Sequence, residues 1–517
     1  MTNTFPESRF TGVYATPELV GRARLRNQIR QVLAEPSTQA RAIFLVGRGG
    51  IGKTRLLQTA LETAQEMGLL AAEHLIDLYD MPNHTPGGLA QSMYHVLPAE
   101  PFRQYEREYR SLQRMFATGD TAGVAAQTER VFATFVQNLQ TLARREKIVL
   151  VLDTAERLVY QTIQTSGAEP QFAESWNWLA EIIPQLNNIV LLIAGRPEAE
   201  PLRQNVQPGL PDGVINIAVD PFDEQESLDY FDAVARLARN EHDPGLARRI
   251  DLLSMDYRRL AHRASGGQPI LLALLVDYLS LAPTGDVPHI LQAPVREILA
   301  QSEAELPAIR ARFEAQLINR LICTPGMSET IEALGRVPKG SDNLLLARLI
   351  GVSPNDAEQR LHAIKQLSFV KVRDQRVFLH DEMYRLLQTH IYERPEDAPR
   401  ADESFEIIVQ YYKDQLAQCQ RTLDAIYAPV EIEGKERLDE IELARVSAIQ
   451  QALTIEIVYY QLRQQPGWGF QHYFRAAKDA SNTNNAALDA QLEAEMVTFL
   501  QERDPDGKLA VMEGLDR

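Results

Sequence analysis

The stretch Gly47-Arg48-Gly49-Gly50-Ile51-Gly52-Lys53-Thr54 constrains this chain most, because it satisfies every fixed position of the pattern G-x-x-x-x-G-K-[ST]. Upstream, Ala42 to Val46 is a continuous apolar run, which predicts a parallel strand covered on both faces. Downstream, Leu57, Leu61 and Ala64 share one face of a helix that Gly68 can end. Strand, glycine-rich turn and helix in that order make an anion cradle. The glycines let backbone N–H groups converge on a phosphate at the helix N-terminus, Lys53 neutralises the outer phosphates and the Thr54 hydroxyl ligates Mg²⁺. Gly47, Gly49, Gly50, Ile51, Gly52 and Arg55 join Lys53 and Thr54 as candidate nucleotide-binding positions.

The residues that follow extend an α/β pattern. Leu70 to Leu78 reads as a second strand, and residues 84 to 145 as a helical stretch rich in Gln, Arg and Glu. Lys147 to Asp153 is a buried run ending in an acid. That acid emerges at the carboxyl end of its strand, where nucleoside phosphates sit in open α/β sheets, so Asp153 is the candidate for direct or indirect contact with Mg²⁺. Asn188 to Gly195 is a fourth strand around the apolar run Ile189 to Ala194, and it ends in Gly195-Arg196-Pro197. Arg196 is thus a candidate sensor of the γ-phosphate, with a solvated arginine in a turn as the alternative. Val214 to Val219 supplies a fifth strand, and five strands alternating with helical patterns predict a doubly wound parallel sheet.

Composition sets bounds on partners. Asp and Glu number 70 against 53 Lys and Arg, for a formal charge of −17, which repels nucleic acid and anionic lipid at long range and argues against both as partners. Cys323 and Cys419 are far apart with no C-x-x-C spacing, so neither a disulfide framework nor a zinc site is indicated, and a reducing cytoplasm is expected. No apolar core like that of a signal peptide opens the sequence, and no apolar run approaches about 18 residues.

Strand signals vanish after Pro221, where Gln225 to Asn240 and Leu246 to Ala264 read as helices. Ser265-Gly266-Gly267-Gln268-Pro269 then reads as an N-cap serine, glycines and an early-helix proline opening the apolar helix Ile270 to Leu281. Further on, Leu344 to Ile350 and a helix capped by Ser353 flank Gly351, and two alternating strands meet at Asp374-Gln375, the layout of a winged helix. Its second helix sets Asp356 and Glu358 against Arg360 and Lys365, a balance near zero that favours packing within the chain over a place in a DNA groove. The expected organisation is an arm at 1–16, an α/β domain at 17–220, a helical lid at 221–305, a winged helix at 306–395 and an all-α region at 396–517. This last part carries a possible tetratricopeptide-like start from Trp468, and its helical ending without a polar cap suggests a portion of a longer protein.

In this order the pieces resemble the STAND class of signalling P-loop ATPases, in particular its NB-ARC and NACHT-like branch. The motifs that carry the likeness are Gly-Arg-Gly-Gly-Ile-Gly-Lys-Thr, Gly267-Gln268-Pro269 as a G-x-P motif and Leu379-His380-Asp381 as an M-H-D motif. The resemblance implies an ASCE-type ATPase sheet, ATP or ADP with Mg²⁺, Pro269 and the turn at Val20 against the adenine, and His380 reaching the β-phosphate of ADP. It also implies a cytoplasmic switch, closed with ADP and self-associating into a ring with ATP, that serves defence or regulation, answers a trigger at the C-terminal helices and is reset by slow hydrolysis. Leu379 replaces methionine at similar volume, and Ala23 stands where many relatives carry glutamate after V-G-R. Thr154 follows Asp153 where fast ATPases carry the catalytic glutamate, which leaves Glu156 as the nearest candidate base, or as a solvated residue of a helix start. Two alternatives remain open at this point: a DNA-binding regulator or initiator built from the same modules, and a small-molecule kinase.

Overall fold

A computed structural model describes residues 9–10, 19–36, 39–118, 123–160, 171–240, 243–281, 305–322, 326–373, 375–392, 398–433, 440–482 and 485–503. The chain divides into two interleaved compact units. One comprises residues 1–29, 47–59 and 218–407, the other residues 30–46, 60–217 and 408–517. The expected lid residues 282–304, Cys323 and the turn residue Asp374 lie outside the described residues.

The second unit holds the α/β sheet. With β1 (Arg9–Phe10) assigned to the other unit, its strands are β2 (Arg41–Val46), β3 (Leu70–Ala71), β4 (Ile76–Asp77), β5 (Ile148–Asp153), β8 (Ile189–Gly195) and β9 (Val214–Ala218). The order is β3-β5-β8-β2-β9, with β4 also on β5. The pairs β2–β8, β5–β8, β3–β5 and β4–β5 are parallel. Every residue of β5 and β8 is buried, the reason both read as unbroken apolar runs. A short antiparallel pair, β6 (Val159–Tyr160) with β7 (Gln171–Phe172), follows β5.

The single strand expected over Leu70 to Leu78 is in fact two short ones. Polar Glu73 and His74 interrupt it, and the Glu73 N–H leaves the sheet to donate to the Val96 carbonyl at 3.0 Å. The insertion that follows β4 contains the packed helices Arg103–Thr118 and Val124–Ala143, whose Tyr105 and Phe135 rings meet edge to face at 5.2 Å. The C-terminal helices Glu440–Gln464 and Ala486–Arg503 pack on this insertion, against Arg103–Thr118 and the turn Met81–His84 respectively. Cys419 is a free buried thiol that donates to the Val446 carbonyl.

In the first unit, lid and winged helix share one apolar core. Phe231, Leu246, Leu271 and Leu275 of the lid run on into Leu317, Leu346, Leu361, Phe369, Val377 and Met383 of the winged helix. The region read as one helix over Leu246 to Ala264 is two, Pro244–Asp251 and Met255–Ser265, because Ser254 leaves helical conformation and caps the second through its hydroxyl. Ser265, by contrast, is no N-cap. It closes Met255–Ser265, with Gly266 in the left-handed C-cap position, and Pro269 alone opens Pro269–Leu281.

The winged helix has the helices Asn343–Ile350 and Pro354–Ile364 and the wing strands β10 (Val370–Arg373) and β11 (Arg376–Leu379). Strand β1 comes from the N-terminal arm and pairs antiparallel with β10, setting Arg9 opposite Val372 and occupying hydrogen-bonding groups of that strand's other edge. The arm thus contributes two residues to the wing sheet.

Candidate nucleotide site

The phosphate loop lies in the first unit and is shaped by close approaches. A Cβ on Gly47 would stand 2.6 Å from the Val219 carbonyl oxygen, and one on Gly50, where φ is +69°, would stand 2.4 Å from Ile270 Cγ2. Lys53 Nζ donates to the carbonyl oxygens of Gly47 and Arg48 at 2.6 and 2.9 Å, which holds the ammonium against its own loop. The turn and the lid are bonded to this loop directly. The Ile270 N–H donates to the Gly50 carbonyl at 3.2 Å, and Arg22 Nη2 donates to the Ile51 carbonyl at 3.2 Å.

Arg22, which the sequence presented only as part of a V-G-R tripeptide, organises this corner. It is buried, its guanidinium lies 4.8 Å over the Phe222 ring, and its backbone N–H donates to Glu226 Oε1 at 2.7 Å. Burial pulls its pKa down, while Glu226, Asp220 and Asp223 act to retain the charge. Phe222 N–H in turn donates to the Gly267 carbonyl at 2.8 Å, and a Cβ on Gly267 would stand 2.1 Å from the Phe222 oxygen. Val20 packs against the lid core beside these residues. Val20, Gly50, Ile51 and the Gly267-Gln268-Pro269 turn are thereby brought into one bonded neighbourhood. Gln268 is only 9 % exposed and its Oε1 has no hydrogen-bond partner. An orphaned buried acceptor next to a glycine-shaped cradle fits a nucleotide, whose amino group would satisfy it.

The acids lie in the second unit. Asp153 ends β5 and is 7 % exposed, and Asp77, at the end of β4, is in register with it. Thr154, at φ +62°, donates from its N–H to Asp153 Oδ1 at 2.9 Å and from its hydroxyl to Asp77 Oδ1 at 3.0 Å. Asp77 also accepts from the Tyr79 N–H at 3.0 Å. Sequence reading passed over Asp77. The available signal was Ile-Asp at one strand end repeating Leu-Asp at the next, but β4 is only two residues long. Glu156 and Arg196 are brought together: the Arg196 N–H donates to Glu156 Oε2 at 3.0 Å, and the Arg196 guanidinium pairs with Oε1 at 3.1 Å. Among the described residues no group of three or more His, Cys, Asp or Glu forms a metal cage, and Mg²⁺ in a phosphate site asks for only one or two protein ligands.

His380 stands between β11 and the helix Asp381–Leu387. Its N–H donates to the Phe369 carbonyl at 2.7 Å, and its Nδ1 accepts from the Glu382 N–H at 3.1 Å, so the neutral ring carries its proton on Nε2. The lid and winged helix are also joined by a buried carboxylate. Asp277, fully buried in Pro269–Leu281, accepts from the Ser368 N–H at 3.0 Å and from the Ser368 hydroxyl at 2.5 Å.

Residues 18–168 match the model of the AAA ATPase domain family. The chain carries a P-loop ATPase domain. Solved structures similar to it include the Aeropyrum pernix ORC2 protein in its ADPNP-ADP complexes, at 13 % identity over 75 % of this chain and 98 % of that one, with a TM-score of 0.32. The Aeropyrum pernix ORC1 protein in complex with DNA shares 16 % identity over 74 % of this chain and 96 % of that one, with a TM-score of 0.30. For Cdc6p from Pyrobaculum aerophilum the figures are 16 %, 74 %, 97 % and 0.32. No curated protein matches the chain. No helix among the described residues is long and apolar enough to cross a membrane.

Proposed function

We propose that the chain is an ATP- and ADP-controlled switch of the STAND kind, with slow Mg²⁺-dependent hydrolysis as its reset. The observation that carries this reading is the bonded path within one unit from the phosphate loop, through Ile270 and the lid helix, to Asp277 and Ser368 of the winged helix. A change at the phosphates then has a physical route to the winged helix.

In this reading Lys53 and the loop N–H groups hold the β- and γ-phosphates, while Thr54 and Asp153 hold the metal. Bound Mg²⁺ offsets charge on the transferred phosphoryl group. Val20, Pro269 and the Gln268 acceptor face the base, and His380 favours ADP through its Nε2–H. Glu156 orients the attacking water once Arg196 releases it, and Arg196 then senses the γ-phosphate. With Thr154 in the place of the usual glutamate, turnover is slow. With ADP the lid and winged helix stay closed, and with ATP they open and permit self-association, answering a trigger at the C-terminal helices.

The exposed face of Pro354–Ile364 carries Asp356 and Glu358, with Arg360 committed to Glu329 at 2.6 Å, which favours an internal role for the winged helix over a DNA-reading one. Light scattering with ADP and with a non-hydrolysable ATP analogue tests the switch. The parent protein is expected to gain mass only with the ATP analogue, Lys53→Ala to respond to neither, and His380→Ala to gain mass with ADP as well. A charge-assisted hydrogen bond of about 1.5–3 kcal/mol shifts a closed-to-open ratio by roughly ten- to a hundredfold. An identical mass distribution in all three proteins under both nucleotides would remove the switch.

A further inference from the structure

We propose a second ligand site, independent of the phosphate loop, among the C-terminal helices, and that its ligand is a nucleoside phosphate. Helices Ala398–Glu433, Glu440–Gln464 and Pro466–Asn482 contribute side chains to a cavity of about 370 Å³, a size suited to a small molecule. Three basic side chains converge there, Lys413, His472 and Arg475, and no carboxylate is among the described lining residues of a chain whose formal charge is −17. Burial lowers the His472 pKa first, and Lys413 and Arg475, which line the same cavity, lower it further.

Folding does not account for this face. In Pro466–Asn482, Phe470, Tyr473, Ala476 and Ala477 pack on the apolar core with Leu462 and Phe499. Trp468, Gln471, His472 and Arg475 follow the spacing i, i+3, i+4, i+7 and line the cavity on a separate stripe. Trp468 is 61 % exposed, a large ring that no core has claimed. Each feature matches one part of a nucleotide. A tryptophan face stacks on a base, Lys and Arg bind phosphate, and glutamine amides offer donors and acceptors to a base edge. Four glutamines line the cavity, and Gln461 is held by a contact from its Oε1 to His472 Nδ1. The ligand is a free mononucleotide or the terminal nucleotide of a strand, since the shared chemistry is the same.

The test uses the full chain carrying Lys53→Ala, so that nucleotide held by the phosphate loop does not contribute. AMP, GMP, CMP, UMP, inorganic phosphate and a 5′-phosphorylated oligothymidylate are titrated by calorimetry and by tryptophan fluorescence, with Trp468→Phe as the spectral control. Expected is saturable binding of at least one mononucleotide, a fluorescence change absent from Trp468→Phe, and at least tenfold weaker binding in Lys413→Gln and in Arg475→Gln. The oligonucleotide binding more tightly than every mononucleotide assigns the strand end, and the reverse assigns the free nucleotide. The proposal is overturned by the absence of saturable binding with every probe, by binding unchanged in both charge-removing variants, or by phosphate binding as tightly as the nucleotides. Circular dichroism checks each variant, and should one fail to fold, the other decides.

Discussion

Glu156 spends both carboxylate oxygens on Arg196, one on its backbone N–H and one on its guanidinium. In the function proposed above, Glu156 reaches a water only once Arg196 moves away, which would couple hydrolysis to the release of Arg196. Glu156→Gln is expected to lower the steady-state ATPase rate at least tenfold while ATP is still retained on a filter, because the amide keeps the shape but cannot take a proton. Turnover equal to that of the parent would leave Glu156 as the partner of Arg196 and nothing more. The strand-loop-helix setting of Lys53 and the strand-end position of Asp153 were legible in the sequence because both are local patterns. Arg22 and Asp77 were not, because their roles consist of bonds to Ile51 and Glu226 in one case and Thr154 in the other, partners up to 204 residues away in sequence.

Among elements, the lid helix Pro269–Leu281 has the most consequential contact, the buried Asp277 on Ser368. Burial drives the Asp277 pKa up to about 7, only partly offset by the two Ser368 hydrogen bonds. An unfolded aspartate titrates near 3.9, so between about pH 4 and 7 the folded chain keeps a proton that the unfolded chain has lost. Stability therefore falls as pH rises through that window, by up to about 1.4 kcal/mol per pH unit from this group. Asp277→Asn removes the titration and keeps an oxygen that can accept from Ser368. Thermal melts at pH 5 and pH 7.5 are expected to show a larger fall for the parent than for the variant. Parallel shifts in the two proteins would mean that Asp277 does not hold its proton.

Elements with one strong signal are legible in the sequence, as with the unbroken apolar runs of β5 and β8 and the alternation of the wing pair β10–β11. Breaks within elements were missed where a single side chain decides them. Glu73 redirects its N–H out of the sheet, and Ser254 caps a new helix inside an otherwise continuous helical pattern.

At the scale of the whole chain, the sequence presents its parts in a line, whereas the compact units interleave them. Residues 47–59 belong with residues 218–407, and residues 60–217 with the C-terminal helices. Linear pattern reading cannot show such a division, since it is made by contacts between distant segments. It bears directly on the switch, because the phosphate loop shares its unit with the lid and the winged helix. Reversing a 1:99 population takes about 5.5 kcal/mol of differential binding, so a switch of the proposed kind would need nucleotide and trigger to act together.

The most direct test is hydrogen exchange of the full chain with ADP and with a non-hydrolysable ATP analogue, followed in Pro269–Leu281 and in residues 368–379. Greater protection of both segments with ADP than with the ATP analogue, by at least tenfold in exchange rate, is the predicted result. Equal protection under both nucleotides, with each shown to be bound, would contradict the claim that the phosphate loop governs the winged helix.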